Sequence, residues 1–280
     1  MKRSIIFLSI LLNTIHCFSQ QIILFEPSIL EIEYNKRMIT DTLNREKKYQ
    51  TDYLRLRIGK NISMFYSPKD LWYDSLSCNK KMKLQVFMEY SKSNGKIKSP
   101  GGVFKERIYK NYPKGLVSVF NHFDLAHWTY TEYWEIPQWE LQNLTKKILN
   151  YPCQLAISKY RGRIWYAWFT FDIPISEGPW KLCGLPGLIL EAYDEKKDYH
   201  YIATGLSKSN IPDVGIYNYS EYDWFKTDRI RYLKTWYKAL NTNMGAKVTQ
   251  TFNIQQNKDS STKMESKNYD LEERDFHDEK

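Results

Sequence analysis

Five side chains that could act as acid, base or nucleophile fall within one short stretch of the sequence. They are Asp172, Glu177, Lys181, Cys183 and Glu191. General acid–base catalysis needs two titratable groups in mutual hydrogen-bond reach, and a nucleophile needs a base beside it. The activity that such a set would support is hydrolysis, with cell-envelope material as the substrate. The hypothesis requires the fold to bring these groups to one surface. Its alternative is a solvated ion pair of Lys181 with Glu177 on a loop.

The cysteines and histidines are too scattered for a metal site. Cys78, Cys153 and Cys183 stand far apart, no C-x-x-C occurs, and His122 and His127 are the closest histidine pair. A structural zinc site needs four ligands at short, regular spacing. A catalytic thiol likewise needs a base near it. We therefore expect no metal and no cofactor.

The same three cysteines allow three single disulfide pairings in an oxidising compartment. The pattern favours Cys78–Cys183, because Cys153 lies in a strand-like segment where a small buried thiol fits well. The other two pairings stay open.

Aromatic residues make up 16% of the chain, and the run at 164–171 is apolar on both of its faces. A doubly apolar strand is central in its sheet, or has one face in the core and the other along a cavity. On the second interpretation the protein is a non-enzymatic binder of an apolar ligand, which we rank above the hydrolase. The candidate ligand-binding residues are Trp165, Tyr166, Trp168, Trp180 and Leu185. The alternative is that these side chains only fill the core.

Short runs of aromatic and β-branched residues recur between turn signals, which is typical of strands. We expect strands at residues 30–34, 53–58, 62–66, 103–109, 116–123, 128–136, 139–149, 153–160, 164–171, 188–193 and 199–205. Strands joined by short turns pair antiparallel, because parallel strands need long crossovers. The sequence therefore predicts a mainly β fold, a single curved antiparallel sheet or half-barrel.

Helical patterns are few. Ser67 before Pro68 is typical of a helix start, and a short helix or loop should follow to about residue 77. The stretch at 80–90 is ambiguous between helix and strand. The clearest helix runs over 221–241, where apolar residues follow one stripe at helical spacing. Such a stripe must be buried, and the sheet is the simplest partner.

The segment that joins the predicted strands at 164–171 and 188–193 is rich in proline and glycine residues. Pro186 presets the first central position of a turn, and Gly187 can adopt a positive φ in the second, which predicts a type II turn. Gly178-Pro179 should act in a similar way.

A loop that carries Trp180, Leu182 and Leu185 should fold back onto the sheet and bury them. We call residues 172–187 the signature loop. Its candidate functional positions are Gly178, Pro179, Lys181, Gly184, Leu185, Pro186 and Gly187.

The segment Gly184-Leu-Pro-Gly-Leu-Ile189 resembles the motif after which the GLPGLI family is named. The resemblance covers residues 25–275 and is densest over 135–192. The further matching positions are Trp139, Lys147-Ile148, Tyr151, Cys153, Ala156, Gly162-Arg163, Trp165, Ala167-Trp168-Phe169-Thr170, Ile173-Pro174 and Gly178-Pro179. The chain departs from the family pattern at Asn150, where the family usually has glycine.

The resemblance implies a secreted or periplasmic protein of a Gram-negative bacterium. It transfers no catalytic residue, since the family has no established activity. Its strand pattern is similar to the half-barrel of periplasmic lipoprotein carriers, which is an analogy of fold only. A partner in an outer-membrane transport system is a third hypothesis, and it follows from the compartment alone.

The first residues have the features of a secretory signal peptide. Lys2 and Arg3 precede an apolar stretch at 5–12, and we expect cleavage after Ser19. The stretch is shorter than the ~20 residues that span a bilayer. Lipid attachment at Cys17 and an apolar first strand of the domain are the alternatives.

Beyond the signal peptide at 1–19, we expect one domain over 20–250 and a polar, largely flexible tail over 251–280. Within the tail, Tyr269-Asp270-Leu271 is a candidate docking segment. The net charge of +9 favours anionic partners, but the basic residues are mostly scattered, as on any solvated surface. No basic stripe of the kind that binds nucleic acid is present.

Overall fold

The computed structural model describes residues 21–93, 100–124, 126–242 and 268–277. The expected signal peptide, with Cys17 and Ser19, lies outside the described residues. So does most of the expected flexible tail, at 251–267 and 278–280.

In the described part of the chain, fourteen strands and three α-helices form. The strands are β1 (Gln21–Glu26), β2 (Leu30–Ile39), β3 (Tyr49–Ile58), β4 (Ser63–Tyr66), β5 (Arg107–Lys110), β6 (Leu116–Phe123), β7 (Ala126–Tyr133), β8 (Glu140–Ile148), β9 (Tyr151–Tyr160), β10 (Arg163–Thr170), β11 (Leu188–Asp194), β12 (Tyr199–Ser207), β13 (Val214–Asn218) and β14 (Phe225–Lys226). The helices are α1 (Pro68–Ser75), α2 (Lys80–Lys92) and α3 (Arg229–Asn241), and a 3-10 turn (Leu76–Cys78) joins α1 to α2.

Twelve of the strands form one sheet in the order β14-β7-β6-β5-β4-β3-β2-β12-β11-β10-β9-β8, and β1 pairs with β13 beside it. The sheet is curved and does not close. Its pairs are antiparallel except β14 with β7. The predicted fold class, a curved antiparallel sheet with a C-terminal helix, is confirmed.

Local sequence explains the tight hairpin between β9 and β10. The two turn residues, Arg161 and Gly162, both have positive φ, at 51° and 75°. A two-residue turn with positive φ at both positions matches the right-handed twist of the flanking strands. The turn therefore keeps the strands in register from Arg163 opposite Tyr160 onward.

The helix expected over 221–241 begins later, at Arg229. The Asp228 carboxylate caps it by accepting a 2.8 Å hydrogen bond from the Arg231 amide. Glu221 is in the left-handed region with φ of 53°, and β14 pairs with β7. The expected start was wrong because the aromatic residues before Asp228 pack as loop and strand.

Two other predicted segments, at 80–90 and 103–109, differ in the structure. The ambiguous stretch at 80–90 is helix α2, with Asn79 as its cap. The strand expected at 103–109 is formed only as β5. The amides of Val103 and Phe104 instead donate to Asp52 Oδ2, at 2.9 and 2.7 Å.

The core lies on one face of the sheet, which we call the inner face. The signature loop and α3 cover it, together with residues 268–277. Phe65 occupies its centre, with edge-to-face contacts of 5.7 to 6.3 Å to Tyr34, Phe104 and Tyr201.

The signature loop folds back onto this face, as predicted. Trp180, Leu182 and Leu185 are at most 1% exposed. The expected positive φ at Gly187 is wrong, because the left-handed residues of the loop are Trp180 (φ 54°) and Gly184 (φ 92°). Gly187 is required for another reason: a Cβ there would lie 2.0 Å from the Thr170 carbonyl oxygen.

No helix among the described residues combines the length and apolar content needed to cross a membrane.

Candidate functional site

Residues 268–277, which we call the C-terminal segment, lie against the inner face of the sheet. Tyr269, Leu271 and Phe276 are buried there, so the candidate docking segment at 269–271 does pack on the domain. Arg163 of β10 contacts its backbone, and Asn241 at the end of α3 exchanges hydrogen bonds with Tyr269. This part of the chain is thus a structural element and not a solvated tail.

A cavity of about 360 Å³ lies between β2, β6, α3 and the C-terminal segment. The wall is largely apolar and aromatic. Its apolar members are Met38, Val103, Phe104, Phe123, Tyr199, Trp236, Leu240, Tyr269 and Leu271. Its polar members are Lys36, Thr40, Gln50, Lys105, Asn121, His122 and Glu272. An apolar cavity of this size with a few convergent polar groups is typical of a small-molecule site.

Lys36 supplies a buried cation at this cavity. Its ammonium lies 3.0 Å from Glu272 Oε1 and 4.4 Å from the centroid of the Phe104 ring. Tyr201 donates its phenolic hydrogen to the same Glu272 oxygen. Ion pair and cation–π contact together compensate a charge that is almost fully enclosed.

Asn121 begins a second polar chain. Its amide donates to the Tyr232 hydroxyl at 2.7 Å, and that hydroxyl donates to Glu106 Oε1 at 2.8 Å. Burial raises the pKa of Glu106 to about 7, and the nearby charge of Glu272 adds to the effect. In the described part of the chain, Asn121 Oδ1 and Glu106 Oε2 accept no hydrogen bond.

His122 lines this cavity and also a smaller one of about 210 Å³ beside α1 and α2. Burial lowers the pKa of His122 to about 4, although Asp70 at 3.6 Å opposes the shift. The carboxylates of the smaller cavity are already paired, since Arg107 contacts Asp70 at 3.1 Å and Asp74 at 3.0 Å. The imidazole of His122 is neutral, and the carboxylates of Asp70 and Asp74 are already paired with Arg107. We therefore interpret these groups as part of the packing around α1 and not as a reactive site.

Two buried lysines hold the signature loop in place. Lys110 of β5 donates to the carbonyl oxygens of Gly178 (2.8 Å) and Leu182 (3.3 Å), and it pairs with Glu177. Trp139 adds a 2.8 Å hydrogen bond to the Cys183 carbonyl. The loop is therefore fixed both to β5, which lies far from β10 and β11 in the sheet order, and to the residue just before β8.

Lys181 is the second of these lysines. Its ammonium lies 2.5 Å from carboxylate oxygens of Glu132 and Glu273 and 2.8 Å from the Tyr130 hydroxyl. Burial opposes the charge, but the two carboxylates outweigh it and raise the pKa of Lys181. Lys181 is a permanent cation and cannot act as a general base. The solvated Lys181–Glu177 pair, which was the alternative to a catalytic role, does not form either, since Lys181 pairs with Glu132 and Glu273 and Glu177 pairs with Lys110.

The other candidates for acid–base work are also separated. Glu191 pairs with Lys146 and lies 2.9 Å from His200, while Glu177 accepts a 2.9 Å hydrogen bond from Ser63. Asp172 is exposed. Burial raises the pKa of the Cys183 thiol to about 11, so it is not a nucleophile near neutral pH. The five groups do not form one constellation.

The five predicted ligand-binding residues divide between two faces. Trp165 and Trp180 stack at 5.4 Å between centroids in the core, where Leu185 is also buried. Tyr166 and Trp168 point to the opposite face, as strand alternation requires. None of the five lines the two cavities described above. For Trp165, Trp180 and Leu185 this placement favours the alternative interpretation of core packing.

The favoured disulfide Cys78–Cys183 is not formed, so that expectation was wrong. Cys183 carries a free thiol that is buried in the signature loop. The backbones of Cys183 and Glu177 form an isolated antiparallel β-bridge. Cys153 is also a buried free thiol. Among the described residues, no group of three or more His, Cys, Asp or Glu side chains could hold a metal ion.

Sequence reasoning missed the polar groups of the cavity. One signal did exist: Ile32, Tyr34 and Lys36 follow the same period of two, which places Lys36 on the inner face. Val117, Val119 and Asn121 follow the same period on β6 and place Asn121 on the inner face as well. For Glu272 no comparable local signal exists, because its partners come from distant parts of the chain.

Comparisons with known proteins give limited matches. A family described as "Protein of unknown function (Porph_ging)" matches residues 161–191, which cover β10, the signature loop and the start of β11. This match is compatible with the resemblance to the GLPGLI family. A comparison with curated proteins gives no match.

Two solved structures of PNGF-II, in space groups C2 and P21, are similar over 75% and 76% of this chain, with 17% and 16% identity and a TM-score of 0.49 each. The chain spans about a third of the length of those structures, 33% and 34% respectively.

Proposed function

We propose that the protein is an exported, non-enzymatic binding protein that holds a small apolar ligand between β2, α3 and the C-terminal segment. The observation that supports this is the cavity of about 360 Å³ with its apolar and aromatic wall. Small-molecule sites have this size range and this balance of apolar surface with a few polar groups.

The polar groups limit the chemistry of the ligand. The two lysines of the wall are both paired, Lys36 with Glu272 at 3.0 Å and Lys105 with Asp70 at 3.2 Å. Among the described residues, the wall therefore offers no unpaired cation to an anionic head group. A neutral, largely apolar ligand fits this wall, because its surface would contact aromatic and aliphatic side chains and no charge would be left unpaired.

The hydrolase hypothesis has less support. Glu177, Lys181 and Glu191 are each bound to a different partner, and the Cys183 thiol has a raised pKa. Acid–base catalysis needs two groups in mutual reach, and these candidates do not provide them. The proposal of export is supported by the signal-peptide features of residues 1–19, and an outer-membrane partner is an extension of the proposal to that compartment.

The test uses the purified protein and an apolar fluorophore such as 1-aminoanthracene. We expect saturable binding, and native mass spectrometry should detect any ligand that co-purifies. Leu240→Trp adds bulk to the cavity wall and should weaken dye binding at least tenfold. The matched control is Leu144→Trp on β8, where the side chain is 60% exposed and the affinity should not change. A wild-type protein that binds no dye and no ligand would refute the proposal, as would equal affinities of the two folded variants.

A further inference from the structure

Several of the contacts that hold the C-terminal segment are made to its main chain. The Arg163 guanidinium donates to the carbonyl oxygens of Leu271 and Glu272, each at 3.1 Å. Tyr199 donates to the Asp270 carbonyl at 2.5 Å, and the Arg274 amide donates to the Arg161 carbonyl at 2.9 Å. Contacts to backbone groups recognise any peptide in the right conformation, as in peptide-binding proteins.

Cations of the surrounding surface meet the acidic side chains of the segment. Most of these cations also have a carboxylate partner on the domain, since Arg163 pairs with Asp194, and Arg161, Lys181 and Arg229 pair with Glu132. The segment brings four carboxylates, and five cations from separate elements meet them. The carboxylates are Asp270, Glu272, Glu273 and Asp275, and the cations are Lys36, Arg161, Arg163, Lys181 and Arg229. We call the surface that these five cations line the basic groove.

Glu273 shows how closely the basic groove fits its occupant. Its carboxylate lies 2.5 Å from both Lys181 and Arg229. Burial alone would raise the pKa of Glu273, but these cations lower it to about 2. Leu271 and Phe276, each 1% exposed, anchor the segment on either side of the charged residues.

The β9–β10 turn makes room for the segment. A Cβ on Gly162 would lie 2.8 Å from the amide nitrogen of Asp275 and from the Arg274 side chain. Glycine at this position therefore permits close approach of a second backbone, a known use of glycine at binding surfaces.

The connection to the segment is much longer than its span. Tyr269 N donates to Asn241 Oδ1 at 2.8 Å, and Asn241 Nδ2 donates to the Tyr269 carbonyl at 3.1 Å. The two ends thus touch, and a few residues would join them. The chain nevertheless places residues 243–267 between them. Cutting the chain between these two neighbouring points therefore leaves every described contact of the segment intact, and another peptide can then compete with it for the same contacts.

An empty basic groove would be unfavourable. Glu272 is the carboxylate in contact with Lys36, and a buried charge left without its partner is strongly destabilising. Exchange must therefore replace one acidic occupant with another.

From these contacts we propose that the basic groove is a peptide-binding site for acidic peptides of the pattern Leu-Glu-Glu-x-x-Phe. The C-terminal segment is its resident occupant and can be exchanged. This inference goes beyond the small-ligand cavity and does not depend on it, although Tyr269, Leu271 and Glu272 also form one wall of that cavity.

The test uses the full chain with a site-specific protease sequence inserted near residue 255. After cleavage, a fluorescent peptide of residues 268–280 is added in excess, and its anisotropy is followed. We expect saturable uptake, with displacement of the original fragment on gel filtration. The uncleaved chain should take up the same peptide at least a hundredfold more weakly, because the tethered segment competes.

Two altered peptides provide the matched comparison. Glu273→Gln and Asp275→Asn each remove one negative charge, but Glu273 is buried between two cations while the Asp275 side chain is 34% exposed. Glu273→Gln should weaken uptake at least tenfold, and Asp275→Asn less than threefold.

Several results would overturn the proposal. They are unfolding of the cleaved protein, retention of the original fragment without exchange during days of incubation, and equal affinity of the two altered peptides. Dye binding in the apolar cavity is measured separately, so failure of this proposal and failure of the ligand-binding proposal are distinguishable.

Discussion

The ammonium of Lys36 and the carboxylate of Glu272 form a 3.0 Å ion pair in which both side chains are at least 93% buried, at 2% and 7% exposure. The pair joins β2 to the C-terminal segment. Transferring two charges from water into the protein costs desolvation free energy, and their mutual attraction offsets this cost only while both partners are in contact. Detachment of the C-terminal segment would therefore leave the buried Lys36 ammonium without its carboxylate partner, which opposes detachment.

The first prediction concerns this pair. Lys36→Met or Glu272→Gln alone should lower the free energy of unfolding by about 3–5 kcal/mol, because each leaves one buried charge uncompensated. The double variant should lose clearly less than the sum of the two. Urea unfolding measures all three. The control is Glu33→Gln, whose 3.0 Å pair with Arg55 is about one third exposed and should contribute less than about 1 kcal/mol. Strictly additive losses in the double variant would contradict the coupling.

Much of the sheet could be predicted from the sequence because strand formation leaves a local signal. Alternation at Leu30, Ile32 and Tyr34 predicted β2, and all three side chains lie in the core. The doubly apolar run at 164–171 predicted β10, which is the third strand from the β8 edge of the sheet. Side-chain period and turn residues are properties of a few neighbouring residues, so one sequence is enough to detect them.

The start of α3 could not be predicted from the same kind of signal. Trp224 and Phe225 extend the apolar stripe of the helix when read as sequence. In the structure, Trp224 contacts Phe120 and Phe225 contacts Trp128, each at 5.0 Å between ring centroids. An apolar residue satisfies a helical stripe or a strand partner equally well, and only the tertiary structure decides between them.

The polar parts of the site were missed for a different reason. Lysine is usually exposed, so sequence reasoning assigns it to the surface. Lys36, Lys110 and Lys181 are all buried, and their carboxylate partners Glu272, Glu177, Glu132 and Glu273 come mostly from distant positions. Such pairings are set by the fold and have no local signature.

A second prediction concerns the pH dependence of stability. Burial raises the pKa of Glu106 from 4.5 to about 7, with Glu272 adding to the shift and Lys181 and Lys36 opposing it. Folding therefore favours the protonated acid, and its contribution is complete below pH 4.5 and is lost as the pH rises to about 7. Relative to Glu106→Gln, the wild-type protein should lose about 3 kcal/mol across this range.

The comparison must be made against the variant at each pH. His122 acts with the opposite sign, because burial lowers its pKa from 6.5 to about 4 and its contribution is lost as the pH falls. Urea unfolding of wild type and Glu106→Gln between pH 4.5 and 8 isolates the carboxyl. A difference that does not vary with pH would show that Glu106 titrates normally.

The third prediction tests the close approach at Gly187. A Cβ there would lie 2.0 Å from the Thr170 carbonyl oxygen, and backbone cannot move aside as a side chain can. Gly187→Ala should therefore lower the free energy of unfolding by at least about 2 kcal/mol. In the control, Gly205→Ala, the nearest atom is the mobile end of the Glu33 side chain at 3.0 Å, and the change should stay within about 1 kcal/mol. Chemical denaturation measures both, and equal losses would reject the steric explanation.

The fourth prediction concerns the thiols. Burial raises the pKa of Cys153 and of Cys183 to about 11, so neither forms much thiolate at pH 8, whereas the Cys78 side chain is exposed. Iodoacetamide should alkylate Cys78 in the native protein and leave Cys153 and Cys183 unmodified. After denaturation, all three should react, which serves as the internal control. Peptide mass mapping without reductant reads out the sites, and a peptide linked through Cys78 and Cys183 would restore the disulfide that the sequence favoured.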